Sequence, residues 1–240
     1  MRLKADNLEV GYGAKLVFGN ISFSAGAGDM IALLGVNGIG KSTLLKTLSG
    51  IINQKSGSLL VNGTQLSSLN VQQRAQQLSV VLTERLWLDN MLVKDFIALG
   101  RAPHTGAMGT LSDADKAVVD KVITITYASA IAGKFFNELS DGEKQKALVA
   151  RALCQDTPII ILDEPTAFLD FRNKHEVLTL LKEISTAADK TVILSTHDID
   201  SSLAFCNKCW IMTEEKRFIE KEIKDEQSRE EVKAILFAGA

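Results

Sequence analysis

Residues 35–42 read GVNGIGKS, and this segment constrains the fold of the chain more than any other feature. It directly follows the apolar run Met30–Leu34 and precedes the helical pattern Thr43–Leu48. In a strand–loop–helix arrangement, glycines let consecutive backbone N–H groups point at phosphate oxygens, and the helix N-terminus adds a partial positive charge. Lys41 is then expected to reach the β- and γ-phosphates, and the Ser42 hydroxyl to ligate Mg²⁺. The residues expected to bind the triphosphate are Gly35, Val36, Asn37, Gly38, Ile39, Gly40, Lys41, Ser42 and Thr43.

An acidic pair follows a second apolar run. The run Ile159–Leu162 ends in Asp163 and Glu164. Residues 35–42 match the pattern of a phosphate-binding loop, or P-loop. A carboxylate at the end of a buried strand beside a P-loop can bind Mg²⁺ or its water ligands, and the next carboxylate can orient a water molecule in line with the γ-phosphate. We therefore predict that Asp163 helps to bind Mg²⁺ and that Glu164 orients the attacking water.

Short apolar runs alternate with helical patterns along most of the chain, which is typical of an α/β fold. Runs such as Met30–Leu34 suit parallel strands that are buried on both faces. Asn62-Gly63 predicts a tight turn between antiparallel strands. The predicted strands are Leu8–Val10, Ile21–Phe23, Met30–Leu34, Ser58–Val61, Leu78–Leu82, Ile159–Leu162, Val192–Ser195 and Trp210–Thr213.

The hydrophobic pattern changes between residues 84 and 153, where helical periodicity replaces the short apolar runs typical of strands. The clearest helical segments are Val93–Leu99, Asp113–Tyr127 and Asp141–Leu153, with Ser112 as the expected N-cap of the second. We expect residues 84–153 to form an all-helical subdomain inserted into a core made of residues 1–83 and 154–240. From Glu214 onwards we expect a short hairpin followed by an amphipathic helix.

Composition excludes several other classes. The chain has 29 acidic and 27 basic residues and a net charge of −2, so broad electrostatic attraction to nucleic acid is not expected. We predict no nucleic-acid partner. No apolar run approaches the roughly 18 residues of a membrane span, and the first ten residues contain no signal-peptide core. The three cysteines are too few for a disulfide framework and favour a reducing, cytosolic compartment.

Together, these motifs resemble those of the nucleotide-binding subunits of ABC transporters, over essentially the whole chain. Residues 139–143 (LSDGE) resemble the family signature, residues 165–170 (PTAFLD) the D-loop, and residues 195–198 (STHD) the switch-histidine segment. Tyr12 matches the aromatic residue that stacks on adenine. The resemblance implies a P-loop NTPase of the α/β class with a RecA-like core, an antiparallel β subdomain and the inserted helical subdomain.

The resemblance also implies a mechanism. Two copies would enclose two ATP molecules, each between the P-loop of one copy and Ser140 and Gly142 of the other. Glu164 would activate or orient the water and His197 would contact the γ-phosphate, with Lys41 as the third catalytic residue. The resemblance also implies that Asp170 of the D-loop lies at the nucleotide site. Independently of the family, Ser140 and Glu143 form the pattern of a capping box.

The chain departs from the family pattern at two places. Asp141 replaces a glycine of the signature, and its side chain is expected to point away from the nucleotide. The family usually has a glutamine that contacts Mg²⁺ at the end of the strand leading into the insertion. Here Thr83 occupies that position and Glu84 follows it. Either residue could offer an oxygen to the metal or its water, and the sequence does not choose between them.

Residues 98–104 (ALGRAPH) resemble a segment of the ATPases that serve iron-chelate, haem and vitamin B12 importers. This implies separate integral membrane permease subunits, an extracytoplasmic substrate-binding protein and a location at the cytoplasmic face of the membrane. The alternatives are a soluble ABC ATPase, such as one for iron–sulfur cluster assembly, and a nucleotide-binding scaffold with little turnover. Gly100 and Pro103 could also simply end the helix Val93–Leu99, with His104 packing in the loop.

Three other residues are expected to have no role in ligand binding. Cys206 and Cys209 form a C-x-x-C pattern with no second ligand pair, so buried small side chains are expected rather than a zinc site. His175 is expected on the surface.

Overall fold

The protein is described by a computed structural model covering residues 1–83, 86, 88–106 and 109–237. Its strands form two sheets. The first is antiparallel, with strand order β2-β1-β4-β5. Its strands are β1 (Leu3–Tyr12), β2 (Lys15–Ala25), β4 (Ser56–Val61) and β5 (Thr64–Gln65). The turn predicted at Asn62-Gly63 is confirmed, with φ angles of 48° and 81° that suit a type I′ hairpin.

The second sheet has six strands in the order β10-β9-β3-β8-β7-β6. All neighbouring pairs are parallel except β9 and β10. Its strands are β3 (Met30–Leu34), β6 (Leu78–Val81), β7 (Ile159–Asp163), β8 (Thr191–Ser195), β9 (Lys208–Met212) and β10 (Phe218–Glu222). Every residue of β3, β7 and β8 is buried, which confirms the prediction made from their apolar runs.

The helices are α1 (Lys41–Leu48), α2 (Val71–Gln77), α3 (Val93–Ala98), α4 (Asp113–Ile125), α5 (Asp141–Cys154), α6 (Phe171–Ala187), α7 (Ile199–Phe205) and α8 (Glu226–Phe237). Helices α3, α4 and α5 pack against one another. The helix predicted in the tail is confirmed as α8, whereas the hairpin expected from Glu214 onwards begins earlier, with β9 at Lys208. Among the described residues, no helix combines the length and apolar character that crossing a membrane requires.

Two apolar cores lie on opposite faces of the six-stranded sheet. Ile31 and Leu33 of β3 join the core shared with the antiparallel sheet. Met30, Ala32 and Leu34 join the core shared with α3, α5 and α6. Side chains alternate between the two faces of a strand, so a strand covered on both sides must be apolar at every position.

Two helix ends differ from prediction. The helix was expected to end at Leu99. Helix α3 ends at Ala98, and a 3₁₀ helix continues from Leu99 to His104. Gly100 allows this path, since it packs directly on the backbone of α5 at Arg151. Helix α4 ends at Ile125 rather than Tyr127, whose φ of 54° is incompatible with an α-helix.

The parallel register brings several loops to one edge. Asp163 pairs with Ser195 between β7 and β8, and Leu33 of β3 also pairs with Ser195. Since these strands run in the same direction, the segments that follow them leave the sheet at the same edge. Ligands bind outside the carboxyl ends of strands in open α/β sheets.

Candidate nucleotide site

The loop between β3 and α1 lies tightly against its neighbours. Gly35 has a φ of 150° and Gly40 one of 121°. A Cβ atom on Gly35 would lie 2.6 Å from the Met212 carbonyl oxygen, and one on Gly40 would lie 2.7 Å from Val17 Cγ1. Only glycine fits both the backbone angles and this space. The loop that leads into α1 therefore requires glycine at both positions.

Lys41 folds back over this loop. Its Nζ donates hydrogen bonds to the carbonyl oxygens of Gly35, at 2.6 Å, and Val36, at 3.1 Å. Burial lowers the pKa of Lys41, while the negative charges of Glu164 and Asp163 act in the opposite direction. The ammonium group thus contacts the loop between β3 and α1 and is exposed to the negative charge of the acidic pair. Next to it, Ser42 is exposed and Thr43 is buried.

Asp163 is held by two hydroxyl groups, one at the end of β8 and one from the residue that follows β6 by two positions. Ser195 Oγ donates to Asp163 Oδ1 at 2.5 Å, and Thr83 Oγ1 donates to Oδ2 at 3.1 Å. The aspartate is only 2% exposed. Sequence reasoning predicted neither contact. The one available signal for the first was a polar residue, Ser195, at the end of a wholly buried strand.

Glu164 has a φ of 51°, an uncommon conformation for a residue other than glycine. Its backbone N–H donates to Ser195 Oγ at 2.9 Å, which ties the strained residue to β8. His197 Nδ1 lies 3.7 Å from Glu164 Oε2. The structure therefore brings together two of the residues that were expected to act at the γ-phosphate, Glu164 and His197. Strain of this kind costs about 1–3 kcal/mol and is concentrated at functional sites.

The capping box predicted at Ser140 is confirmed. Ser140 Oγ accepts from the Glu143 backbone N–H at 3.3 Å, and Glu143 Oε2 accepts from the Ser140 N–H at 2.9 Å. Hydrogen bonding by Lys134, and then by the backbone of Ser140, lowers the pKa of Glu143 to about 2. Asp141 is exposed and lies near Lys144.

The signature residues lie on accessible surface. Ser140 is exposed, and Gly142 is half-buried beside the Phe168 carbonyl oxygen. In the part of the chain that the structure describes, no hydrogen bond of Ser140 reaches residues 35–43. The signature and the P-loop of one chain are thus not joined to each other.

The remaining predicted site residues occupy separate positions. Tyr12 is 48% exposed at the end of β1 and lines a shallow cleft with residues 52–55. Asp170 caps α6 by accepting hydrogen bonds from the backbone and side chain of Asn173 at 2.8 and 2.9 Å. The Asn173 backbone bond is the main cause that lowers the pKa of Asp170. Glu84 lies outside the described residues.

The oxygen atoms at the site suit Mg²⁺. Within the described ranges, no three histidine, cysteine or acidic residues cluster as they do in an all-protein metal site. Mg²⁺, however, is usually bound through one or two carboxylates together with substrate phosphates and water. The oriented carboxylate of Asp163 and the exposed hydroxyl of Ser42 fit that pattern.

Four residues outside this site have the structural roles expected for them. Cys206 and Cys209 are buried and unpaired, so they do not form an exposed ligand pair. His104 Nε2 is 2.8 Å from the Gln155 carbonyl oxygen, as expected for a residue that packs in a loop. His175 is exposed and packs edge-on against Phe205.

Comparison with known proteins decides the family. The profile described as ABC transporter matches residues 18–167, and a profile for AAA domains matches the shorter range 134–203. This chain belongs to the ABC transporter ATP-binding family. Its nucleotide-binding ATPase domain has the α/β fold of P-loop NTPases.

The relatives of this chain include one uncharacterized ABC transporter protein and several proteins named as import ATP-binding proteins. An uncharacterized ABC transporter ATP-binding protein of Methanocaldococcus jannaschii is 37% identical over 89% of this chain and 74% of its own length. A cobalamin import ATP-binding protein of Halobacterium salinarum is 31% identical over 89% of this chain and 53% of its own. An iron(3+)-hydroxamate import ATP-binding protein of Bacillus subtilis is 29% identical over 85% of this chain and 76% of its own.

A solved structure is similar over almost the whole chain. It is described as a metal-chelate type ABC transporter in an inward-facing conformation. It matches with a TM-score of 0.82 and 29% identity, over 99% of this chain and 89% of that chain.

Proposed function

We propose that this chain is the ATP-hydrolysing subunit of an importer for a metal chelate, such as an iron-siderophore, haem or cobalamin. The observation that carries the proposal is the meeting of three strand ends, those of β3, β7 and β8, at one edge of the sheet. There the P-loop lysine, the Asp163 carboxylate, Glu164 and His197 lie together. The names of the relatives supply the substrate class.

Binding of the triphosphate begins with an exchange of partners at Lys41. Its ammonium group now donates to two loop carbonyl oxygens. We infer that it turns to the β- and γ-phosphates, whose charge stabilises the ammonium form against its desolvation. Ser42 and Asp163 would hold Mg²⁺, which neutralises charge that develops on the phosphate oxygens. Tyr12, exposed at the end of β1, would stack on the adenine ring.

Hydrolysis then depends on Glu164. Its backbone is held by Ser195, and its carboxylate lies beside His197. In this arrangement Glu164 orients the attacking water in line with the γ-phosphate, and His197 donates a hydrogen bond to that phosphate. Because Ser195 holds the Glu164 backbone before the nucleotide binds, little reorganisation of that backbone is needed during the reaction.

A second copy would complete the site. The N-terminus of α5 carries a partial positive charge and presents the exposed Ser140. No hydrogen bond of Ser140 reaches its own P-loop in the described structure, so we infer that Ser140 and Gly142 face the γ-phosphate held by the partner. Asp170, fixed as the cap of α6, would border the same site. ATP would hold the two copies together, and hydrolysis would release them.

Coupling to transport would use the segment that follows α3. The surface around residues 98–104 would receive a permease subunit and so place the chain at the cytoplasmic face of the membrane. A substrate-binding protein on the other side would select the chelate. Within this segment Leu99 is half-exposed, whereas Gly100 and Arg101 are buried against α5.

A steady-state ATPase assay tests the enzymatic part. Wild type is expected to release phosphate from ATP, Glu164→Gln to bind ATP with little turnover, and Lys41→Ala to bind it weakly. Equal rates for wild type and Glu164→Gln would remove Glu164 from its proposed role.

Co-purification of the tagged chain with a polytopic membrane protein tests the importer part, and its failure would favour a soluble ABC ATPase.

A further inference from the structure

The carboxylate of Asp163 is held from both sides. Strand β7 lies between β6 and β8, and each neighbour supplies one hydroxyl. Ser195 at the end of β8 donates to Oδ1, and Thr83, two residues after the end of β6, donates to Oδ2. An aspartate side chain otherwise rotates rather freely about its last torsion. Two donors on opposite oxygens fix that rotation.

The two hydroxyls differ in what else they hold. Ser195 Oγ also accepts the backbone N–H of Glu164 at 2.9 Å, so it positions both acidic residues. The hydrogen bond described for Thr83 goes to Asp163 alone. Thr83 donates its single hydroxyl proton to the carboxylate, so the contact that the structure shows is one that orients Asp163.

We propose that Thr83 is a positioning residue that acts on the bound metal through Asp163 rather than as a ligand itself. The inference rests on the proposed function, because it concerns the Mg²⁺ that accompanies the nucleotide.

The test measures binding of the non-hydrolysable analogue AMP-PNP by calorimetry, once with Mg²⁺ and once with EDTA. The dissociation constant in EDTA divided by the one with Mg²⁺ reports how strongly the metal supports nucleotide binding. Thr83→Val removes the hydroxyl at constant shape and is expected to reduce this ratio about two- to ten-fold, the range for one hydrogen bond. Thr83→Ser keeps the hydroxyl and is expected to retain the wild-type ratio. Affinity in EDTA is expected to stay unchanged in both variants.

A double-mutant cycle separates the indirect role from direct ligation. In an Asp163→Ala background, Thr83→Val is expected to cause no further change in the ratio. A further loss of similar size would mean that Thr83 binds the metal itself and would overturn the proposal. An equal loss of affinity in EDTA would also overturn it, since the effect would then be a general loss of structure.

Wild type and Ser195→Ala complete the set. If wild-type protein fails to bind AMP-PNP with Mg²⁺, the proposed function fails. If it binds with metal support that Thr83→Val leaves intact, only the present inference fails. Ser195→Ala is expected to lower the ratio and, in a separate assay with ATP, the turnover number as well. An unchanged ratio in Ser195→Ala would contradict the two-sided clamp on Asp163.

Discussion

Gly100→Ala should destabilise the protein by a purely steric route. A Cβ atom on Gly100 would lie 2.4 Å from the Arg151 carbonyl oxygen, 2.9 Å from Cys154 Cβ and 3.1 Å from the Gln155 backbone nitrogen. Two of these neighbours are backbone atoms near the C-terminal end of α5, which cannot move aside cheaply. Forcing one methyl group into such a contact costs about 1–3 kcal/mol. Gly100 is not in the left-handed region, so alanine brings no backbone strain that would confuse the result.

Thermal unfolding followed by circular dichroism measures this cost. For a chain of this size each kcal/mol corresponds to about 2–4 °C, so Tm should fall by about 2–12 °C. Gly133→Ala is the matched control, since its added Cβ would meet no atom within 4 Å and no left-handed φ is involved. We expect Gly133→Ala to melt at or slightly above the wild-type temperature. If Gly100→Ala melts with the control, the close packing of residues 99–104 on α5 is refuted.

Two further predictions concern titratable groups. Hydrogen bonds from Ser112 and then Arg101 lower the pKa of Asp115 to about 2, below its ordinary value of 3.8. The folded state therefore gains stability from this carboxylate above about pH 4 and loses it as the pH falls towards 2. Urea unfolding should show Asp115→Asn less stable than wild type at pH 7, with the gap closing below pH 4; a gap independent of pH would contradict this. Burial raises the pKa of both Cys206 and Cys209 to about 12, so neither thiol should react with DTNB at pH 8 until the protein unfolds. Rapid modification of the native protein would show that these thiols are accessible.

Local patterns in the sequence were sufficient for much of the fold. Apolar runs predicted the wholly buried strands, because a strand covered on both faces has no polar face to preserve. The Asn62-Gly63 turn and the capping box at Ser140 follow from the backbone preferences of a few neighbouring residues. The same holds for the P-loop. Where geometry is set within about eight residues, the sequence contains the information.

Other features depend on residues far apart in the chain. Thr83 and Asp163 are separated by 80 positions, and Ser195 and Asp163 by 32, so only the strand order brings them together. Strand β1 is ten residues long, but only its centre was predicted, because its exposed positions are polar and its register shifts twice beyond Ala5 on the way to Val10. The 3₁₀ continuation through His104 depends on contacts with α5 that no local pattern reveals.

The central claim is that ATP is held between two copies of this chain. Light scattering on a sizing column measures it directly, using Glu164→Gln to prevent turnover. With ATP and Mg²⁺ the mass should double from 26.1 kDa, while Glu164→Gln combined with Lys41→Ala should stay at the monomer mass. Glu164→Gln with Ser140→Arg should bind ATP yet remain monomeric. A Glu164→Gln protein that is saturated with ATP and still has the mass of one chain would contradict the claim.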